Sequence, residues 1–458
     1  MYAAMLIYFL YTEFPIQSSD LSDSKRNILK RVKRSFQLSR ELNGKFIIVC
    51  MWFLLIISFF IPLVLQGICV SPFSDKYGFY WLEVRRVSTT FTRYFEIEKV
   101  CPPGPPCHIY ASLGEDTATA VFINMHTAKG TRDITIRYDE ESYYNQHGEF
   151  RYSVTPTTFD FQGVESLGER DVHSAYIEHL KPNTLYHMSV YYGTEAQKSF
   201  KYKTLPGKDQ EVKIAMGGDV GSNYTVEYMY DQVAKHHPDV LIIGGDAAYD
   251  DGINACYYSW DLFLWFFEKL DKQVGRIVPF IISIGNHDIG YNALALPKLE
   301  LNNNGPMFHL FFPQHTSNGK NKVPVMADRK AYFYHIVGNS LQVSLDSGYL
   351  SPFEGEQLEW LTSVSEKFKD LPKMANFHVP IYPACFKPAH DDARPINLAK
   401  EHWIPIFEKY RYMSVFENHV HIYKRTKPLI QGKPAENGIL YLGDGTWGIQ
   451  PKDRKSVV

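Results

Sequence analysis

The chain has six cysteines among its 458 residues but no Cys-x-x-Cys pair, which argues against a zinc ribbon. It lacks a charge of one sign. Its 48 basic residues face 50 acidic ones, a net charge of −2, so bulk electrostatics predicts no nucleic-acid partner. It offers a single Asn-x-Ser/Thr site, Asn223-Tyr224-Thr225, as a candidate glycosylation acceptor. Long apolar stretches are also scarce. Only Phe46–Leu65 runs twenty residues without a charge, long enough as a helix to cross the ~30 Å hydrocarbon core of a bilayer.

That run follows a basic segment containing Lys25, Arg26, Lys30, Arg31, Lys33, Arg34, Arg40 and Lys45. The positive-inside rule places residues 1–45 in the cytosol as a basic tail, with residues 46–69 as a transmembrane anchor. The competing reading is a secretory signal starting near Met51, with Gly67 and Cys69 before the cut. Either way the remaining chain enters an oxidising compartment, extracellular or lumenal if anchored and secreted if cleaved. Cys101 and Cys107 bracket Pro102-Pro103-Gly104-Pro105-Pro106 and are candidates for a small disulfide loop. Cys256 and Cys385 each follow a ligand-type motif and are either a second bridge or two buried thiols.

Residues 80–205 read as β. Thr119–Met125, Asp133–Tyr138, Ala175–His179 and Tyr186–Tyr192 are short runs, most of them rich in Val, Ile, Thr or Tyr and separated by turn residues. This spacing suggests a β-sandwich, and His179–Tyr186 resembles the turn-and-tyrosine segment of fibronectin type III-like domains. No catalytic cluster falls here, so a packing or positioning role is expected. Thr204–Asp209 reads as a linker.

Residues 210–450 alternate strand and helix, which predicts a layered α/β domain. Strands are expected at Val212–Met216, Val240–Ile243, Ile277–Ile284, Lys373–Phe377 and Met413–Phe416, with a hairpin from Tyr332 to Asp346 turning at Gly338-Asn339. Five motifs follow apolar runs: Gly217-Gly218-Asp219, Gly244-Gly245-Asp246 with Tyr249, Gly285-Asn286-His287-Asp288, His378-Val379-Pro380, and His419-Val420-His421. Open α/β sheets place ligands at such strand ends. Taken singly, each Asp is as well explained as a helix cap or turn, and a lone His378 as a core histidine. Together they supply enough oxygen and nitrogen donors for two metal ions. Two cations about 3.5–4 Å apart suit phosphate esters because they neutralise the anion and lower the pKa of a bound water. His419 and His421, two apart, are expected on one side of a strand. Asp246 is the candidate bridge.

These motifs resemble those of the calcineurin-like metallophosphoesterase superfamily, and Gly221 and Tyr249 point to its purple acid phosphatase branch. The resemblance covers about residues 80–448. It implies a metallophosphoesterase domain with a β-sandwich core flanked by helices, preceded by the fibronectin type III-like domain. It implies a site of Asp219, Asp246, Tyr249 and His421 for Fe(III). It implies a second site of Asp246, Asn286, His378 and His419 for divalent Zn, Fe or Mn. Phenolate and carboxylate suit the harder ion. His287 would contact phosphate or protonate the leaving oxygen, with Asp288 as its orienter, and a metal-bound hydroxide would be the nucleophile. Lys387 and His390 stand near the place of a substrate-facing histidine in that branch. Asn418 stands where many members have Gly. The implied activity is acid phosphatase on a phosphorylated small molecule or protein. The alternatives are a phosphodiesterase or nucleotide pyrophosphatase, or a catalytically silent binding protein.

Overall fold

In the computed structural model the described residues are 51–54, 101–161, 168–221, 224–250, 257–289, 306–317, 322–383 and 390–449. The expected basic tail, most of the apolar run, Asn223, Cys256, Cys385 and Lys387 lie outside them. Among the described residues no helix is long and apolar enough to cross a membrane. The described residues from Cys101 onward fall in one compact unit. Cys101 and Cys107 are bridged.

The first eight strands are β1 (His108–Ser112), β2 (Val121–Ala128), β3 (Ile134–Glu140), β4 (Tyr152–Val154), β5 (Thr157–Phe161), β6 (Arg170–Ile177), β7 (Leu185–Tyr192) and β8 (Glu195–Lys203). Three more follow: β9 (Ile214–Gly217), β10 (Val240–Ile243) and β11 (Phe280–Ile282). The last is shorter than the sequence suggests. Strands β3, β4, β7 and β8 make a four-stranded sheet in the order β4-β3-β7-β8. The others join a seven-stranded sheet, β5-β6-β2-β1-β11-β10-β9. The early antiparallel strands and the later parallel ones thus share a sheet, joined by one parallel pair, Ser112 with Phe280. The face between the two sheets is filled by Ile123, Met125, Ile136, Met188, Val190 and Ile242.

The second half contributes β12 (Phe333–Val337), β13 (Ser340–Ser344), β14 (Lys373–Phe377), β15 (Ser414–Glu417), β16 (Tyr423–Arg425), a small hairpin of β17 (Leu429–Ile430) and β18 (Lys433–Pro434), and β19 (Leu440–Asp444). The sheet order is β12-β13-β14-β15-β19-β16. The β12–β13 hairpin turns where the sequence predicts, with Gly338 at φ 59°, in the left-handed region that glycine enters without a Cβ penalty. Helices Glu356–Lys367 and His390–Lys409 bury Leu361, Val364, Trp403 and Phe407 against this sheet.

Helix Tyr257–Val274 covers the seven-stranded sheet with a stripe of Tyr257, Trp260, Phe263, Leu264, Phe267 and Leu270, spaced at three and four residues. It also carries a polar anchor. His108 Nδ1 lies 3.0 Å from Glu268 and its Nε2 3.1 Å from Asp261, which also accepts from buried Arg170. Burial pulls the His108 pKa down, but hydrogen bonds to Asp261 and Glu268 outweigh this and raise it. A raised histidine pKa gives stability that is full below the unfolded value near 6.5 and is lost as pH rises through the folded one. The melting temperature should therefore fall as pH climbs above neutrality, and His108→Gln should flatten that slope. A parental slope in the variant would remove His108 from the account.

Candidate functional site

All five motifs lie just past the C-terminal ends of parallel strands: β9 before Asp219, β10 before Asp246, β11 before Asn286, β14 before His378 and β15 before His419. Parallel strands end at one rim, so residues far apart in the chain meet there. Asp219, Asp246, Asn286 and His378 are buried to 1% exposure or less.

The backbone there is contorted. Asp219, Asp246, Tyr249, His419 and His421 have φ of 57°, 52°, 57°, 67° and 46°. Left-handed non-glycine residues cost about 1–3 kcal/mol each and persist where the surroundings over-determine them. Here they bend the chain back so that side chains aim at one rim. This corrects the expectation for His419 and His421. Strand β15 ends at Glu417, and both histidines lie in the crossing to β16 rather than on one side of a strand. The left-handed turns send them to different partners. His419 Nδ1 lies 3.2 Å from His378 Nε2, and His421 Nε2 lies 3.1 Å from Asp219 Oδ1.

Two clusters result. In the first, the Tyr249 hydroxyl lies 3.3 Å from Asp219 Oδ1 and 3.5 Å from His421 Nε2. Asp219 Oδ2 accepts the His419 amide at 2.8 Å, which ties this cluster to the second. In the second, His378 Nε2 lies 2.9 Å from Asn286 Oδ1 and 3.2 Å from Asp246 Oδ2. Asp246, His378 and His419 can place ligand atoms within 4.8 Å of one another.

The donor chemistry of the second cluster fits a cation. His378 Nδ1 lies 2.9 Å from the Gly244 carbonyl, which can only accept, so Nδ1 keeps its proton and Nε2 is the nitrogen that presents a lone pair whenever the ring is neutral. That lone pair faces an amide oxygen, a carboxylate oxygen and another imidazole nitrogen. Asp246 Oδ2 and His421 Nδ1 are buried without hydrogen-bond partners, since His378 approaches Oδ2 off hydrogen-bond geometry. A positive ion among Asn286 Oδ1, Asp246 Oδ2, His378 Nε2 and His419 Nδ1 would satisfy these four donors at once. A proton is the weaker substitute. Burial lowers the His378 pKa, but Asp246 and Asp219 raise it to about 9. Tyr249 shows the same need, being pushed well above 10 by burial and by Asp219, Asp246 and Asp288. A nearby cation reverses that logic and favours phenolate.

His287 is 5% exposed, and its ring stacks on Tyr249 with centroids 4.4 Å apart. Its amide donates to Asp246 Oδ1 at 2.7 Å. Asp288 uses both oxygens on backbone, accepting Ala247 N and Gly285 N at 2.9 Å each. It thereby staples the Asp246 turn to the Asn286 turn. Burial and the Asp246 charge raise its pKa to about 7. His390 opens the helix that follows residues 384–389.

Several residues without a role in the sequence reading complete the site. The Asn418 side chain wedges between Gly218 and Gly244, where an added Cβ would sit 2.7 and 1.7 Å from its atoms. Gly445 passes Asp219 so closely that a Cβ would lie 2.8 Å from Oδ2, and Trp447 packs under Gly217. The glycine-rich string Gly443–Gly448 was the available signal. Gly285 is pressed directly against a candidate ligand, since its Cβ would meet Asp246 N and Oδ1 at 2.3 Å. Gly285→Ala should cost about 1–3 kcal/mol by overpacking and release metal, read from the melting temperature and metal content. An unchanged variant would show that the turn is slack.

The sequence profile of the calcineurin-like phosphoesterase family matches residues 171–423, more than half of the chain. The chain is 25% identical over 311 residues to a probable purple acid phosphatase 20 of Arabidopsis thaliana, covering 67% of each. It is 24% identical over 339 residues to an Fe(3+)-Zn(2+) purple acid phosphatase 12 of the same plant, covering 71% of this chain and 66% of the relative. Among solved structures, purple acid phosphatase PPD1 from yellow lupin seeds superposes with a TM-score of 0.59 at 15% identity, over 77% of this chain and 66% of that one. That likeness is one of fold. The chain therefore spans about two thirds of the length of these relatives. With the profile match laid over the strand-end clusters, the chain belongs to the calcineurin-like phosphoesterase family.

Proposed function

We propose that this chain is a metal-dependent phosphoester hydrolase of the purple acid phosphatase kind, acting on phosphomonoesters. The observation that carries the reading is the convergence of His378 Nε2, Asn286 Oδ1, Asp246 Oδ2 and His419 Nδ1 within reach of one another. Asp219, Tyr249, His421 and Asp246 would hold one ion, and Asp246, Asn286, His378 and His419 the other. When bound, the two ions would neutralise the phosphate and supply a water acidic enough to attack it. The protein's part is to aim these donors, to keep Asp246 ionised beside His378 and His287, and to present the His287 ring at the rim. There His287 binds phosphate oxygen or hands a proton to the leaving alkoxide. Lys387 and His390, placed soon after His378, are proposed to contact phosphate.

The phenol favours Fe(III) in the first site. A relative bearing iron and zinc in its name supports that pairing. Purified protein should contain two metal ions and absorb visible light through a tyrosinate-to-iron transition, and Tyr249→Phe should abolish the band. A colourless protein with two equivalent divalent ions would sink the ferric assignment and leave the hydrolase. Turnover of p-nitrophenyl phosphate against its bis-ester separates monoester from diester preference. We also propose a β-sandwich module over residues 80–205 and a catalytic domain over 210–450. Residues 46–69 are proposed to deliver both to the secretory pathway, as anchor or cleaved signal. The Cys101–Cys107 bridge supports an oxidising destination.

A further inference from the structure

The loop that carries His419 and His421 leaves β15, passes the end of β19 and enters β16, because β19 lies between those two strands. Below it is a cavity of about 180 Å³ lined in part by Gly217, Gly244, Glu417, Asn418 and Tyr423. The two ends of the loop are joined by a buried ion pair. Glu417, the last residue of β15, accepts from Lys424 Nζ, in the middle of β16, and their side chains are 0% and 3% exposed. Both residues pair with Gly443 of β19, and a Cβ there would lie 2.6 Å from Lys424 Cε and 2.7 Å from the Glu417 carbonyl oxygen. The glycine is the window through which the pair closes.

The pair also reaches a third segment. Glu417 Oε1 accepts the Ile381 amide at 2.7 Å, and Lys424 Nζ donates to the Tyr382 carbonyl at 2.7 Å. Ile381 lies three residues past His378 in the chain. We infer that the buried Glu417–Lys424 pair is a positioning clamp that sets the His378 loop against the His419–His421 loop before any ion enters. This rests on the metal-site reading above. The direction of the pair matters: the carboxylate must meet an N–H and the ammonium a carbonyl. Exchanging the charges keeps their mutual attraction but turns both backbone contacts into clashes of like polarity.

The test uses the full chain. Lys424→Met leaves a buried carboxylate unpaired and is expected to lower the melting temperature. Glu417→Gln/Lys424→Met removes both charges, keeps an acceptor for Ile381, and should recover much of that loss. Metal release to a chelator should nevertheless speed up about 10- to 100-fold in the double variant, as for other residues that orient ligands. The charge-exchanged Glu417→Lys/Lys424→Glu should behave worse than the double variant on both measures. A double variant with restored melting temperature and the parental release rate would overturn the clamp, as would a charge-exchanged protein equal to the parent. Hydrogen exchange at the Ile381 amide of the metal-free parent provides a readout that needs no variant. The clamp requires that amide to be protected, and rapid exchange would refute it. A parent that takes up no metal while Ile381 is protected would instead count against the metal-site reading alone.

Discussion

Replacing Asp246 by asparagine should strip metal from both positions and lower phosphomonoester turnover on the order of 10³-fold or more, several kcal/mol of transition-state stabilisation. The substitution keeps the shape and an oxygen to accept the His287 amide, now at 2.7 Å. What it removes is the charge. Asp246 is 1% exposed, and its pKa is held down by His378, His287 and His419 against the opposing effect of burial. Without the carboxylate, the donors around His378 lose the anion that would attract a cation, and the residue proposed to serve both ions is gone. Metal analysis and p-nitrophenyl phosphate turnover on the same preparation decide it. An asparagine variant that retained two ions and parental turnover would refute Asp246 as the bridge.

His287→Ala should separate chemistry from assembly. It is expected to leave metal content unchanged while lowering kcat about 10²- to 10⁴-fold, the range for losing a positioned proton donor. Assembly survives because the contact that holds residue 287 to Asp246 is made by its backbone amide, which alanine keeps. The ring stacks on Tyr249, so truncation opens space at the rim. The loss should be largest for substrates with poor leaving groups, since these depend most on protonation of the departing oxygen. A uniform loss across leaving groups would reassign His287 to binding phosphate. Full activity would remove it from the reaction.

Part of the site was legible because metal chemistry restricts residue types and strand ends restrict their placement. Asp219, Asp246, Asn286, His378 and the His419–His421 pair each follow a short apolar run, and that pattern survives without knowledge of the fold. The β12–β13 hairpin and strands β10 and β14 were equally local, since turn residues and uninterrupted apolar runs mark them. Other features left no local trace. The left-handed conformation of five rim residues follows from tertiary constraint, because a residue with a Cβ pays to enter that region. Strand β1, the shared seven-stranded sheet and the His108 contacts also escaped, as the partners of His108 lie 153 and 160 residues away.

The amino-acid sequence by itself determined which candidate donors are present, their order along the chain, and the combination of Gly221 with Tyr249 that puts a phenol among them. Those are properties of residue type and short spacing. Only the tertiary structure decided how the donors divide. It sends His419 to His378 and His421 to Asp219 although the two are separated by one residue. It makes Asp288 a staple between turns, and it seats Asn418 against Gly218 and Gly244. The physical reason is that a buried polar group takes whichever partner the packing brings within reach, and in this fold those partners come from strands far apart in the chain.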